Sequence, residues 1–173
     1  MLHAVLKGKA ARVELEGKSV SWRELFKNRE DLLTAAVFGR FPYLSDSAQQ
    51  SIMRDCLDGE INLGAFVSLE FWPSYGLTHD ETSSRVEPDM VMRFAEANVL
   101  VEVKPPSGAG QSISQWSKEV AAFIQSDNSG ETPLHFLALG QLNQQNNTWV
   151  KQLKQAFPML ASISAREWQP IVK

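Results

Sequence analysis

Residues 134–139 read Leu-His-Phe-Leu-Ala-Leu, a continuous apolar run with a single imidazole in it. Such a run suits a strand buried on both faces. It sits within a sequence of elements whose order, taken along the chain, is α-(α)-β-β-β-α-β-α-β. That order predicts an α/β sandwich built on one mixed sheet.

The elements before the run carry their own signals. Residues 7–16 mix basic and apolar side chains and fit a short strand or an arm. Ser21-Trp22-Arg23-Glu24 fits a capping box, and residues 28–37 (NREDLLTAAV) have a cap, acids in the first turn and then helix-favouring residues. A helix is expected from Trp22 or Asn28 to Phe38, ended by Gly39 and Pro42, and a second over residues 46–57, ended by Asp58-Gly59. Residues 63–71 and 88–94 read as strands, 73–81 as a loop and 95–98 as a turn. Residues 99–104 are a further strand, closed by Pro105-Pro106. After a flexible connection at 107–110, a helix over 112–124 carries the apolar stripe Ile113, Trp116, Val120, Phe123 and Ile124. A helix over 147–157 and a strand over 160–164 complete the chain.

The length of 173 residues allows one domain. It divides into a basic flank (1–27), a core (28–139) and a C-terminal helix with an edge strand (140–173). Cys56 is the single cysteine, so no intramolecular disulfide or Cys-rich zinc site can form, and His3, His79 and His135 lack ligand spacing. No run approaches the ~18 apolar residues of a membrane span, and the N-terminus lacks the apolar stretch of a signal peptide. A cytoplasmic location and no membrane partner are expected. Gly17-Lys18-Ser19 fails as a phosphate loop because Arg12 stands where the motif needs its first glycine, and no GxSxG or HExxH occurs.

The chemistry-bearing stretch is Glu87-Pro88-Asp89 followed by Glu102-Val103-Lys104. Glu102 and Lys104 are two apart on a strand and point to one face, leaving Val101 and Val103 for the core. With the turn centred on Glu96-Ala97, Asp89 would stand opposite Lys104 and diagonal to Glu102 on that same face. Two convergent carboxylates repel unless a proton or cation intervenes. Mg²⁺ suits such a pair, because it takes one or two carboxylates and keeps several waters. Lys104 stands where it could activate water or offset developing charge.

Pro88-Asp89, then Glu102-Val103-Lys104 thirteen positions on, resembles the signature of the PD-(D/E)xK nuclease superfamily, which includes restriction endonucleases, Holliday-junction resolvases and repair nucleases. Residues 28–139 resemble its α-β-β-β-α-β core. The resemblance implies a restriction-endonuclease-like fold, with a central mixed sheet flanked by helices. It also implies Mg²⁺-dependent hydrolysis of phosphodiester bonds in DNA, with Mn²⁺ able to substitute, in defence against foreign DNA or in repair. Asp89 and Glu102 would ligate the metal with the Val103 carbonyl, and Lys104 would be catalytic. Glu30 would supply a further acid from the preceding helix. A polar residue on the following helix would be Gln115, or second to it Gln111.

Simpler readings exist for each. Asp89, Glu102 and Lys104 could form a solvated polar face, Glu30 could complement its helix dipole, and Gln115 could cap its helix. Trp116, Trp149 and Trp168 read as packing residues, and His79-Asp80 as loop. A catalytically inactive protein of the same fold, binding nucleic acid or a partner protein, is the alternative function. The net charge of −3 argues against coating DNA by charge alone. Its distribution is uneven: residues 1–29 carry +4 and residues 44–102 carry −8. Lys7, Lys9, Arg12, Lys18, Arg23, Lys27 and Arg29 form a basic flank able to follow a phosphate backbone. A partner subunit, a homodimer or structure-specific recognition would have to supply target choice.

Overall fold

A computed structural model describes residues 9–22, 25, 30–58, 61–79, 82–106, 110–126, 132–142 and 144–168. The framework is a five-stranded mixed sheet in the order β3(Phe66–Phe71), β6(Met90–Phe94), β7(Asn98–Val103), β8(Leu134–Leu139), β9(Ser162–Arg166). β3, β6 and β7 form an antiparallel meander, and β7, β8 and β9 run parallel. Two hairpins stand outside this sheet: β1(Val13–Leu15) with β2(Lys18–Val20), and β4(Tyr75–His79) with β5(Thr82–Val86). The helices are α1(Glu30–Phe38), α2(Asp46–Cys56), α3(Ile113–Ser126) and α4(Asn146–Ala156), with a 3-10 turn at Phe41–Tyr43.

Alternation along the strands divides the core in two. Met90, Met92, Val99, Val101, Val103 and Leu139 face Phe38, Phe41 and Met53 from the α1–α2 side. Val91, Leu100, Phe136 and Ala138 face Trp116, Val120, Phe123 and Leu153 from α3 and α4. β7 and β8 are buried along their whole length, as the uninterrupted apolar run at 134–139 leads one to expect. Trp116 packs on Phe136 and edge-on to Trp149, and Trp168 packs beside Phe38. The three tryptophans are thus packing residues.

Two sequence expectations change. Residues 73–81 do not form a simple loop: they include β4, whose hairpin partner is β5. The hairpin lies against α3, where Tyr75 packs edge-on to Phe123, Ser126 Oγ donates to the Gly76 carbonyl (2.8 Å) and Thr78 N–H donates to Gln125 Oε1 (3.0 Å). These tertiary bonds hold a Ser-, Thr- and Gly-rich segment extended.

The β6–β7 register differs from the expected one. Met90 pairs with Val101 and Arg93 with Asn98, so the turn is the two residues Ala95-Glu96. Glu96 N–H donates to the Leu63 carbonyl and Ala95 N–H to that of Ala65, fixing the turn against the preceding chain. Gly64 makes the approach possible: its φ is +71°, and a Cβ there would lie 2.6 Å from Glu96 Cγ. Continuing the pairing places Asp89 opposite Glu102, not opposite Lys104.

The basic flank contains a hairpin whose turn, Glu16-Gly17, has positive φ at both residues. The expected capping box at Ser21–Glu24 and helix start at Asn28 include positions outside the described residues, as do Lys7, Arg23, Lys27 and Arg29 of the basic flank. Among the described residues, no helix is long and apolar enough to cross a membrane.

Candidate active site

Asp89 immediately precedes β6, and Glu102 lies near the end of β7. Asp89 carries the ladder one step beyond the backbone pairs, because its Oδ2 accepts from Val103 N–H at 2.7 Å. Its own carbonyl accepts from Trp72 N–H at 3.0 Å. This anchors the acid from β3 and β7 together. On the other side of β7, Lys104 N–H donates to the Leu139 carbonyl at 2.7 Å, extending the parallel ladder to β8.

Glu102 shares its face of the sheet with Leu100 and looks toward α3. It is 1 % exposed, Asp89 6 % and Lys104 7 %. A solvated polar face is therefore not what these residues form. Lys104 Nζ pairs with Glu102 Oε1, while Glu102 Oε2 is buried and has no hydrogen-bond donor. Burial of an ion pair is favourable only when the remaining polar atoms are also satisfied, so the orphaned oxygen marks an incomplete arrangement.

Next to the Glu102 carboxyl lies that of Glu119 of α3, a residue not selected from the sequence. It too is 1 % exposed, with an unpartnered Oε2, and its carboxyl is within hydrogen-bonding reach of those of Glu102 and the amide of Gln115. Burial, reinforced by the neighbouring Glu119 and opposed by Lys104, pushes the Glu102 carboxyl up to about 8. Burial likewise pushes Glu119 up to about 7, with the charge of Asp89 adding to the rise and hydrogen bonds from Glu102 and Gln115 opposing it. Both shifts have one physical cause, because two anionic carboxylates cannot adjoin in a buried site without a proton or cation between them. The signal for Glu119 was present as an i, i+4 pair with Gln115 on the face of α3 that also carries Trp116 and Val120.

The two glutamine candidates separate. Gln115 is half-buried and reaches Glu119. Gln111 is held away from the carboxyls: its Nε2 donates to the Leu139 and Gly140 carbonyls, and its Oε1 accepts from Trp116 Nε1 at 2.8 Å. It ties the start of α3 to the end of β8. Glu30 begins α1, and its side chain lies outside what is described. His79 ends β4, again with its side chain outside the described set, and Asp80 lies outside it altogether.

Lys104 is fixed from behind as well. Its carbonyl accepts from Trp168 Nε1 at 2.8 Å. Gly140, with φ +83°, lies so close to that bond that a Cβ would stand 2.6 Å from Trp168 Nε1.

The donor set is all oxygen, with two orphaned carboxylate oxygens on adjoining glutamates and Asp89 opposite one of them. That chemistry fits a hard divalent cation, which requires few protein ligands when it retains water. A ready-made cage is not present: among the described residues, no three His, Cys, Asp or Glu side chains stand in metal-binding geometry.

No family model matches the chain, and no solved structure does. An uncharacterized protein of Pasteurella multocida (strain Pm70) is 27% identical over 156 residues, covering 89% of this chain. The chain spans 58% of that protein's length.

Proposed function

We propose that the protein is a Mg²⁺-dependent nuclease of the PD-(D/E)xK type, hydrolysing phosphodiester bonds in DNA. The observation that carries this reading is the face-to-face placement of Asp89 and Glu102 with Lys104 paired to Glu102, all buried at the end of one hairpin. A resting structural ion pair does not need the second and third carboxyls that converge there. The meander of three antiparallel strands followed by α3 and a parallel strand also agrees with a restriction-endonuclease-like core.

Asp89 and Glu102 would hold the ion together with the Val103 carbonyl, and Glu30 would add a further acid if its side chain turns toward them. A bound Mg²⁺, or Mn²⁺ in its place, supplies neutralisation of phosphate charge. Lys104 would place positive charge beside the attacked phosphorus and assist deprotonation of water. Gln115 orients Glu119, and Glu119 in turn sets the charge on Glu102. Lys9, Arg12 and Lys18 would extend the contact with the phosphate backbone, and a second copy or a partner subunit would contribute target choice. Defence against foreign DNA or repair are the settings such an activity suits, within the cytoplasm.

The test is cleavage of plasmid, linear, single-stranded and branched DNA with Mg²⁺ or EDTA, comparing wild type with Lys104→Ala and Glu102→Gln. Metal-dependent cleavage that falls about 100-fold or more in both variants is expected. Equal rates in all three proteins, or no cleavage of any DNA, overturns the proposal. DNA binding without cleavage would instead support an inactive binding protein of this fold.

A further inference from the structure

β3 ends at Phe71, and the next residue, Trp72, sits on left-handed backbone with φ +49°. Glycine and asparagine reach that region cheaply, and a bulky aromatic does not. Pro73 adds to the strain, because a residue before proline is driven toward extended backbone with negative φ. The usual partner of a buried indole N–H is missing as well: among the described residues no group accepts from Trp72 Nε1, although that atom is buried. Unfavourable features gathered at one residue are retained where they serve a site.

The left-handed turn has one visible result. Consecutive residues of a strand point to opposite faces, so the rings of Phe71 and Trp72 would part had β3 continued. Instead they lie together, with centroids 5.3 Å apart and planes inclined by 33°. Phe71 packs on the α1–α2 side of the core, and both residues are half-buried. β3 is an edge strand, so no strand of the sheet lies beyond it. The pair is also tied to the carboxyl cluster. Trp72 N–H donates to the Asp89 carbonyl at 3.0 Å, and Asp89 stands opposite Glu102. Trp72, Asp89 and Glu102 thus form one row across the meander. Two strand spacings make that row about 10 Å long, the rise of about three stacked nucleotides.

We propose that Phe71 and Trp72 form a stacking platform for an unpaired nucleobase beside the cleavage site, so that the substrate is DNA with single-stranded nucleotides there. The inference rests on the nuclease reading and adds the substrate class to it. A half-buried indole already stacked on a second ring presents a flat π surface, which takes any base without reading its edge. Unstacked bases offer a face to such a ring, whereas bases inside a duplex are stacked on one another. Trp72 is the residue in contact, and Phe71 positions it.

The test is fluorescence anisotropy in EDTA, across a salt series, with three labelled probes of equal length: oligothymidylate, a fully abasic strand and a blunt duplex. Wild type is compared with Trp72→Gly and Trp72→Phe. Glycine removes the ring and suits the left-handed backbone; circular dichroism and thermal melts check both folds. Wild type should bind oligothymidylate about tenfold or more tighter than the abasic strand, the contribution of one stacked base. That ratio should fall to near one in Trp72→Gly and persist in Trp72→Phe. The slope of log affinity against log salt should match wild type, because the lost contact carries no charge, and duplex affinity should not change. An unchanged ratio in Trp72→Gly, or a ratio near one in wild type, overturns the platform; Mg²⁺-dependent cleavage by wild type then leaves the nuclease reading standing. Duplex affinity that falls as far as single-strand affinity in Trp72→Gly overturns the assignment to unpaired bases. Absence of both DNA binding and cleavage by wild type overturns the two readings together.

Discussion

The carboxyl of Glu119, on α3, lies against the carboxyl of Glu102, on β7, and both are buried with an oxygen left unpartnered. The two residues are seventeen positions apart and reach each other because α3 packs its Trp116–Phe123 face on the sheet face that carries Leu100 and Glu102. Their raised carboxyl pKa values are a measurable consequence.

In the metal-free protein, both groups bind a proton more tightly folded than unfolded. Their stabilising contribution is full below the ordinary carboxyl range, near 4.5, and is lost as pH rises through about 7 to 8. Glu119→Gln removes one of the two charges that must otherwise be accommodated. In EDTA the variant should melt higher than wild type at pH 8, by ~2–4 °C for each ~1 kcal/mol gained, and close to wild type at pH 5. Thermal melts at the two pH values check this; an equal shift at both would point to a packing effect instead.

A cation between these carboxylates would stabilise the fold by mass action. Mn²⁺ at 100 times its dissociation constant should add about 2.7 kcal/mol, seen as a rise in melting temperature that EDTA reverses. Asp89→Asn and Glu102→Gln should each abolish most of that rise. A rise of the same size in both variants would place the ion elsewhere.

Gly140 links the site to the end of β8. Replacing it with Ala puts a side chain on left-handed backbone, at roughly 1–2 kcal/mol, and drives the Cβ against the bond between Trp168 Nε1 and the Lys104 carbonyl. Gly140→Ala should lower the melting temperature, and reduce cleavage more than Gly64→Ala does at equal stability loss, because only Gly140 abuts Lys104. Denaturant unfolding and cleavage rates measured on both variants test the distinction.

His135 responds to pH with the opposite sign. It is buried in β8, with Nδ1 2.8 Å from Ser162 Oγ, and burial lowers its pKa below 6.5. The neutral ring is the folded form, so its contribution is present above the unfolded pKa near 6.5 and declines as pH falls through the lower folded value. His135→Gln should lose part of the wild-type dependence between pH 7 and pH 5 in chemical denaturation. An unchanged dependence would assign it to other groups.

Periodicity and local chemistry made much of this protein legible in advance. The apolar run at 134–139 became a strand buried on both faces, because no arrangement leaves six such residues at a surface cheaply. The spacing of Glu102 and Lys104 put them on one face, since side chains alternate on any strand. The start and stop of α2 lay in the sequence as Asp46 and Asp58-Gly59, while the Ser45 cap came with the structure. What tertiary structure alone decided were relations between segments. The register that sets Asp89 opposite Glu102 depends on Leu63, Ala65 and Gly64 gripping the Ala95-Glu96 turn. The β4–β5 hairpin is extended because α3 supplies partners to a segment that reads locally as loop. Glu119 joined the carboxyl cluster through the packing angle of a helix on a sheet, a quantity that no run of neighbouring residues encodes. Local patterns record the faces of each element; which faces meet is set by the burial they achieve together.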